Sequence, residues 1–514
     1  MFSILPQPKE YKINQGFFRL DGFGVFGFTS PEIIEDCKAF CKKCNLLEKP
    51  TVNCILDGEI KGYTLDIEDG ITIKGDSVQS IFYGLQSLKQ LVLHNLKDEI
   101  LLPCLHVSDY PSYSYRSYML DVVRHFYPIE NLYKIIDILA LFKINVFHFH
   151  LTDDQGWRVE IEKYPRLTEI SAFRKQTNGD NTPHGGFYTK QQLRDFVNYA
   201  KSKFIEVIPE FDMPGHFTAV LSAYPHLGCT GEKVEVEERF GIFDTIACGG
   251  NEEVYTFVYD VLKEMAEIFP SPFFHIGGDE APKRRWAVCP KCLEKVKAEG
   301  LEGIEQLQGF FTKKVTEMLA SLGKTPIVWN ESLNSGMLDK SAIVQYWNDG
   351  KKALNVKKAA REGQRFIMSP CPPFYLDYPS GMHSIKKIYN FEKEELSTSP
   401  NLLGFETPLW TEHIASWEKI QKHTFPRVLA TAQLGWGKQE DFSSFKNRVL
   451  HALSILDFYE IIHENKKDFL PNPLRAIKHF FSFSSNFLKG NPLESLKRAI
   501  ENDKEMRRAR GEKR

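Results

Sequence analysis

The sequence predicts an α/β protein: a (β/α)8 TIM barrel preceded by a small α+β domain. Two observations carry this expectation. From about residue 112 onward, short apolar runs alternate with longer amphipathic segments, and eight such runs fall within roughly 340 residues. Chemistry-bearing side chains follow the runs, which is where a barrel of this class collects its functional groups. A doubly wound sheet is the rival arrangement, but no glycine-rich phosphate loop follows a first strand. The expected division is 1–107 for the small domain, 108–461 for the barrel and 462–514 for a C-terminal helical extension with a basic tail.

In the small domain, Tyr63, Leu65 and Ile67 alternate with polar residues, as do Ile71 and Ile73 after the turn Glu68-Asp69-Gly70. That pattern predicts a hairpin. Val78, Ile81, Phe82, Leu85, Leu88 and Val92 then recur at helical spacing, with Ser77 placed to cap the helix start. Cys37, Cys41 and Cys44 fall on another helix, and Asp109-Tyr110-Pro111 marks the junction.

The expected barrel strands are Ser117–Val122, Asn145–His150, Ile205–Pro209, Phe273–Ile276, Pro326–Trp329, Ile343–Tyr346, Phe366–Met368 and Leu403–Phe405. Pro128 stands where a first helical residue belongs, ahead of Leu132, Ile135, Ile136 and Leu139. Thr189 and Gln192 have capping-box spacing before a further helix. Near the C-terminus, Leu474, Ile477 and Phe481 share one helical face, and a basic tail runs from Lys504 to Arg514.

The chain's 514 residues suffice for more than one domain and a large core. The net charge of -2 points away from nucleic acid and anionic membranes as partners. No run of eighteen apolar residues exists, so no membrane span is expected. The start, Met1 to Pro6, lacks a basic segment, and Pro6 interrupts its apolar run. Cytoplasm is therefore the expectation, with a secreted or periplasmic location left open if a leader has been removed. The aromatic share is high at 13%; most of those residues must be core, and a few Trp in a cleft would suit sugar rings, whose C–H faces stack on aromatic planes.

The most informative segment is His275-Ile276-Gly277-Gly278-Asp279-Glu280. Neighbours on a regular strand point to opposite faces. Asp279 and Glu280 can serve one ligand only if the strand ends and bends there, and two glycines permit that bend. Two carboxylates on one pocket suit glycoside or acyl chemistry without a metal. Alone, the pair reads first as the acidic first turn of a helix. The other runs change that reading, because Arg124, Asp153, Glu210, Asp212, His216, Trp329, Trp347, Tyr375, Asp377, Trp410 and Glu412 all stand at or just after run ends.

At this point the sequence resembles glycoside hydrolase family 20, the β-N-acetylhexosaminidases. The matching stretches are Leu120–His125, His148–Arg158, Pro209–His216, His275–Glu280, Tyr375-Leu376-Asp377 and Trp410-Thr411-Glu412, in order. The resemblance implies an exo-acting, retaining enzyme that removes terminal GlcNAc, and GalNAc if the C4 epimer is tolerated. Its nucleophile is the substrate's own acetamido oxygen, which forms an oxazolinium intermediate. Glu280 is implied as general acid and base, with Asp279 expected to push its pKa up. Asp279 is implied as the partner of the acetamido N–H, and Tyr375 of its oxygen. Arg124, Asp377 and Glu412 are implied to bind ring hydroxyls, and Trp329, Trp347 and Trp410 to wall the pocket. Asp153 and His216 are implied as a relay behind Glu280. No cofactor and no metal are expected, and the partner is a glycan with a terminal β-linked N-acetylhexosamine, acted on by a monomer or homodimer.

Two other readings remain open. A metal-dependent amidohydrolase-type barrel could use His148, His150, His216, His275 and Asp279, although such barrels carry the HxH pair on the first strand. A non-catalytic N-acetylhexosamine-binding protein would share the pocket, although intact Asp279, Glu280 and Tyr375 argue for turnover. Gln433 stands where the family commonly has an acid, a change expected to affect stability more than chemistry. The pair Cys289 and Cys292 reads as a turn or local thiol pair, because no second CxxC stands at zinc-finger spacing. Spacing leaves open whether Cys229 and Cys248 bond.

Overall fold

Alternation and turns build the first sheet. In the computed structural model, which describes residues 3–489 apart from 98, 349–352, 392–393 and 438–439, six strands pair in the order β1-β6-β4-β5-β3-β2. They are β1 (Glu10–Leu20), β2 (Phe23–Gly27), β3 (Glu48–Leu56), β4 (Tyr63–Ile67), β5 (Ile71–Gly75) and β6 (Ile100–Asp109). The expected hairpin is β4 against β5, antiparallel, with Tyr63, Leu65, Ile67, Ile71 and Ile73 buried. The helix Pro31–Cys44 buries Cys37, Cys41 and Cys44 on one stripe.

The helix Val78–His94, capped by Ser77, is buried along Ser80–Val92 on every side. A helix buried all round needs neighbours on both faces. Here the sheet lies on one side, and the barrel helices Ile129–Leu141 and Phe442–Phe458 lie on the other. Its polar residues are satisfied inside that layer. Gln90 donates to the carbonyls of Leu5 and Leu141, and Lys89 pairs with Asp36, which also takes Lys203 at 2.7 Å.

The barrel closes through eight parallel strands: Tyr115–Asp121, Val146–His150, Glu206–Glu210, Phe273–His275, Thr325–Trp329, Ile343–Asn348, Phe366–Cys371 and Leu402–Leu409. Every expected strand forms, with ends that coincide or are displaced by up to four residues. Pro128 immediately precedes the helix Ile129–Leu141, and Thr189 and Gln192 form the expected capping box before Lys190–Ser202.

Side chains two residues apart on a strand share a face, so each strand stacks its inward residues in layers. The lowest layer takes one residue from each strand: Tyr115, Val146, Ile208, Phe273, Ile327, Ile343, Ile367 and Leu403. Two residues further on, the barrel interior turns polar, with Ser117, His148, Glu210, His275 and Gln345. Glu210 is the hub of this layer. It takes His148 at 3.2 Å, His275 at 2.9 Å and the Trp329 indole N–H at 2.9 Å, and it also bonds His150. Glu406 receives Ser117 at 2.8 Å and His148 at 3.0 Å. The next step up each strand reaches the mouth of the barrel.

Gln433 accepts the backbone N–H of Gln7 at 3.0 Å, tying the N-terminal segment to the barrel helix Val428–Trp436. The helix Pro473–Lys489 follows, and the basic tail from Lys504 lies outside the described residues. Among the described residues, no helix is long and apolar enough to cross a membrane.

Candidate active site

The two glycines of the central segment stand where only glycine fits. Gly277 has φ +63°, and a Cβ there would lie 1.6 Å from Asp212 Oδ1. Gly278 has φ +101°, and a Cβ there would lie 2.4 Å from Ser332 Oγ. Both values lie in the left-handed region that side chains avoid. The turn is held from both sides: the Gly278 N–H donates to Asp212 Oδ1 at 3.1 Å, and its carbonyl accepts Gln308 Nε2 at 2.8 Å. The chain leaves the fourth strand at His275 and turns so that Asp279 and Glu280 both line one cavity at the barrel mouth. Glu280 itself has φ +42°, a strained value for a side chain with a Cβ.

That cavity is also lined by Arg124, Asp153, His216, Trp347, Tyr375, Asp377, Trp410 and Glu412, drawn from the ends of different strands. Tyr375 stacks on Trp347, with ring centres 6.2 Å apart, and Trp410 lies 6.4 Å from Tyr375. Arg124 is fixed rather than free. It pairs with Asp153 at 2.6 Å and Asp121 at 3.2 Å, donates from Nε to Gln155 Oε1 at 3.0 Å, and sits 5.0 Å above the Trp410 ring. Its ion pair with Asp121 and its place on the wall coexist, and Glu412 stands 3.9 Å away. Trp329 departs from the expected wall. It is 1% exposed and lies beneath Trp410, centres 6.0 Å apart, because its N–H is drawn down to Glu210.

His216 joins the carboxylates. Its Nδ1 lies 3.0 Å from Asp153 Oδ1 and 3.2 Å from Asp154 Oδ2, and its Nε2 lies 3.8 Å from Glu280 Oε2 and 3.9 Å from Asp279 Oδ2. Burial opposes a charge on this imidazole, but Asp153, Asp154 and Asp212 outweigh it and hold its pKa well above the ordinary value. Asp153 is held well below the carboxylate range: burial acts against this, and Arg124 and His216 prevail.

Glu280 is raised above the usual range, first by burial, and then by Glu331 and Glu412 against the opposing charges of His216 and Arg124. The sequence pointed to Asp279 as the acid that raises Glu280. The repulsion instead falls on Asp279, which is held well above its ordinary value by burial, then Asp212, with Glu331 and Glu280 adding to it. Asp279 is the deeper of the two: its side chain is 11% exposed against 32% for Glu280. A buried polar atom without a partner costs free energy unless a ligand supplies one. Asp279 Oδ1 and Asp377 Oδ1 are two such atoms, both on residues lining the cavity.

Asp212, which stands just after the third run, lines the cavity and braces the glycine turn, and Glu331, which the sequence did not single out, accepts the Trp347 indole N–H at 2.7 Å. Phe240, Ile242, Arg284, Tyr378, His413 and Phe483 form further lining. The signal for Asp212 lay within Pro209–His216, whereas Phe483 arrives from the C-terminal helix, where its ring lies 5.0 Å from Tyr378. The histidines of the amidohydrolase reading are divided between two places. His148 and His275 approach Glu210 beneath the cavity, and His216 approaches Asp212 and Asp279 at its wall.

Comparison with known proteins agrees with this layout. Residues 113–439 match the model of the glycosyl hydrolase family 20 catalytic domain, and residues 57–110 match that of domain 2 of the same family. A β-hexosaminidase of Porphyromonas gingivalis is 36% identical over 89% of this chain, which spans 64% of that relative's length. A β-hexosaminidase of Akkermansia muciniphila is 34% identical over 74% of this chain and 80% of its own. The crystal structure of an exo β-N-acetylglucosaminidase from Vibrio harveyi with N-acetylglucosamine superposes with a TM-score of 0.81 at 28% identity, covering 90% of this chain and 78% of that one. The β-N-acetylhexosaminidase of Bacteroides fragilis gives 0.81 at 28% identity over 90% and 96%. With the catalytic-domain match spanning the whole barrel, the chain belongs to glycosyl hydrolase family 20.

Proposed function

We propose that this chain is an exo-acting, retaining β-N-acetylhexosaminidase that uses its substrate's acetamido group as nucleophile. The observation that carries the reading is the convergence of Asp279, Glu280 and Tyr375 with Trp347 and Trp410 on one cavity. In this reading the acetamido group lies against Trp347, Tyr375 and Trp410. Its N–H donates to Asp279 and its oxygen accepts the Tyr375 hydroxyl, which aims that oxygen at the anomeric carbon. Holding the nucleophile in place makes the attack intramolecular, an advantage of up to about 7–11 kcal/mol.

Glu280 is the better placed of the pair to reach a leaving group, being the more exposed. It donates a proton to the departing oxygen as the oxazolinium forms, and then takes one from water as the ring opens. Its raised pKa keeps the proton available for the first step. Asp279 balances the cationic intermediate. Arg124, Asp377 and Glu412 take ring hydroxyls, with the unpartnered Asp377 Oδ1 as one acceptor. Asp153 and His216 stand behind Glu280 as its relay, and Trp329 supports Trp410 from below. The named β-hexosaminidase relatives and the N-acetylglucosamine bound in the Vibrio harveyi enzyme support this assignment.

The test is hydrolysis of aryl β-GlcNAc and aryl β-GalNAc by wild type, Glu280→Gln and Asp279→Asn. Turnover by wild type with both variants crippled is the expected result, and the two aryl rates report the C4 preference. Absence of turnover on both sugars, with sugar binding retained, would favour a binding protein instead.

A further inference from the structure

Four cysteines that the reaction does not use meet beside the cavity. The sulfurs of Cys229 and Cys292 lie 3.9 Å apart, those of Cys248 and Cys289 3.8 Å, and those of Cys248 and Cys292 3.6 Å. All four fall within 4.8 Å of one another. A disulfide needs about 2.05 Å, and these thiols are free. A tetrahedral zinc with Zn–S bonds of about 2.3 Å places its sulfurs about 3.8 Å apart. The observed spacing is that of the second arrangement.

The surrounding chain is shaped like a metal knuckle. Cys289 is the N-cap of the helix Pro290–Ala298 and Cys292 lies in its first turn. A helix N-terminus favours thiolates there. The other two sulfurs come from the ends of one loop. The Cys248 N–H donates to the Leu227 carbonyl at 2.9 Å, and Gly228 bridges Ala247, so Cys229 and Cys248 are drawn together across the loop's base. Cys248, Cys289 and Cys292 are buried and Cys229 is partly covered.

We propose that Cys229, Cys248, Cys289 and Cys292 bind one structural zinc ion. Four thiolates close the coordination sphere, so the ion has no open position for a substrate. Its role follows from what it joins. The loop between Cys229 and Cys248 carries Phe240, Gly241 and Ile242 to the cavity wall, and the segment before Cys289 carries Glu280 and Arg284. Arg284 already meets Asp244 at 3.3 Å, and Trp286 Nε1 donates to the Ala247 carbonyl at 2.8 Å. Zinc pins both ends of the entrance loop to the segment leading away from the general acid. On this proposal the CxxC is half of a split site whose other half lies on the far side of a helix and a barrel strand in sequence, rather than the turn or local thiol pair read from the sequence.

The experiment is metal analysis of the full-length, untagged chain purified without added metal, with X-ray absorption at the zinc edge. The expected result is about one zinc per chain, released in step with organomercurial titration of thiols, and a shell of four sulfurs at about 2.3 Å. Cys229→Ser and Cys292→Ser lose the zinc, lower Tm and raise KM more than they lower kcat on the aryl substrate. If those variants do not fold, the wild-type stoichiometry and spectrum decide alone. Wild-type protein carrying far less than one zinc per chain, or peptide mapping that finds a disulfide among these four residues, overturns the proposal.

Discussion

His216 holds Glu280 from behind: its Nε2 lies 3.8 Å from Glu280 Oε2 while its Nδ1 rests 3.0 Å from Asp153 Oδ1. The contact sets an opposition. Burial raises Glu280, and the charged imidazole pulls it back toward the range where an acid can both give and regain a proton.

Replacing His216 by Asn therefore moves the pH–rate profile in a defined direction. In the proposed role Glu280 acts as a general acid and works protonated, so activity falls as pH rises through its pKa. Removing the opposing charge raises that pKa, and the alkaline limb shifts upward. A profile of kcat/KM against pH that does not shift, or that shifts downward, contradicts the relay.

The same pair predicts how stability varies with pH. The raised folded pKa of His216 gives stability that is complete below about pH 6.5 and is lost as pH rises through the folded value. The depressed folded pKa of Asp153 gives stability present above about pH 3.9 and lost as pH falls through its folded value. The Tm difference between wild type and His216→Asn is thus largest between about pH 4 and 6.5. Thermal melts across pH test this, and a difference that is constant or grows above that window counts against it.

Glu280→Gln separates leaving groups. On a disaccharide, whose leaving oxygen needs the proton, kcat drops by about 10²–10⁴-fold. On an aryl glycoside with an acidic phenol the first step loses far less. Equal losses on both substrates would remove Glu280 from the acid role.

The join between the small sheet and the barrel rests on Asp109, whose Oδ2 takes the hydroxyl of Tyr63 at 2.7 Å, Nζ of Lys143 at 3.1 Å and the indole of Trp436 at 2.9 Å. All of this is buried. Asp109→Ala leaves an uncompensated ammonium and costs about 3–5 kcal/mol, whereas Asp109→Leu with Lys143→Met costs less. Denaturant melts of both variants give the comparison.

Phe483, from the C-terminal helix, belongs to the cavity rim beside Tyr378 and His413. Phe483→Ala raises KM for a disaccharide by about 3–10-fold, the worth of one lost ring contact, and changes the aryl monosaccharide less. A uniform change on both substrates would place the ring away from the leaving sugar.

What could be read from the sequence follows the range of the forces involved. Strand runs and the residues at their ends are local, so Asp279, Glu280, Tyr375 and Arg124 could be named before any geometry. Trp329 could be placed on its strand but not at its depth, because its burial depends on Glu210, 119 positions away. Phe483 carried no motif and became part of the cavity only when distant segments met, and Glu331 reaches it only through its bond to Trp347. The cysteines show the same limit, since Cys229 and Cys292 stand 63 positions apart and only the folded loop brings them together.

The most direct test of the central claim is turnover of aryl glycosides whose acetamido methyl carries none, one, two or three fluorines. If the substrate's own carbonyl oxygen is the nucleophile aimed by Asp279 and Tyr375, each fluorine weakens it, and kcat falls steadily across the series by roughly 10²-fold or more. Rates that stay flat would mean that an enzyme group attacks instead, and would contradict the account.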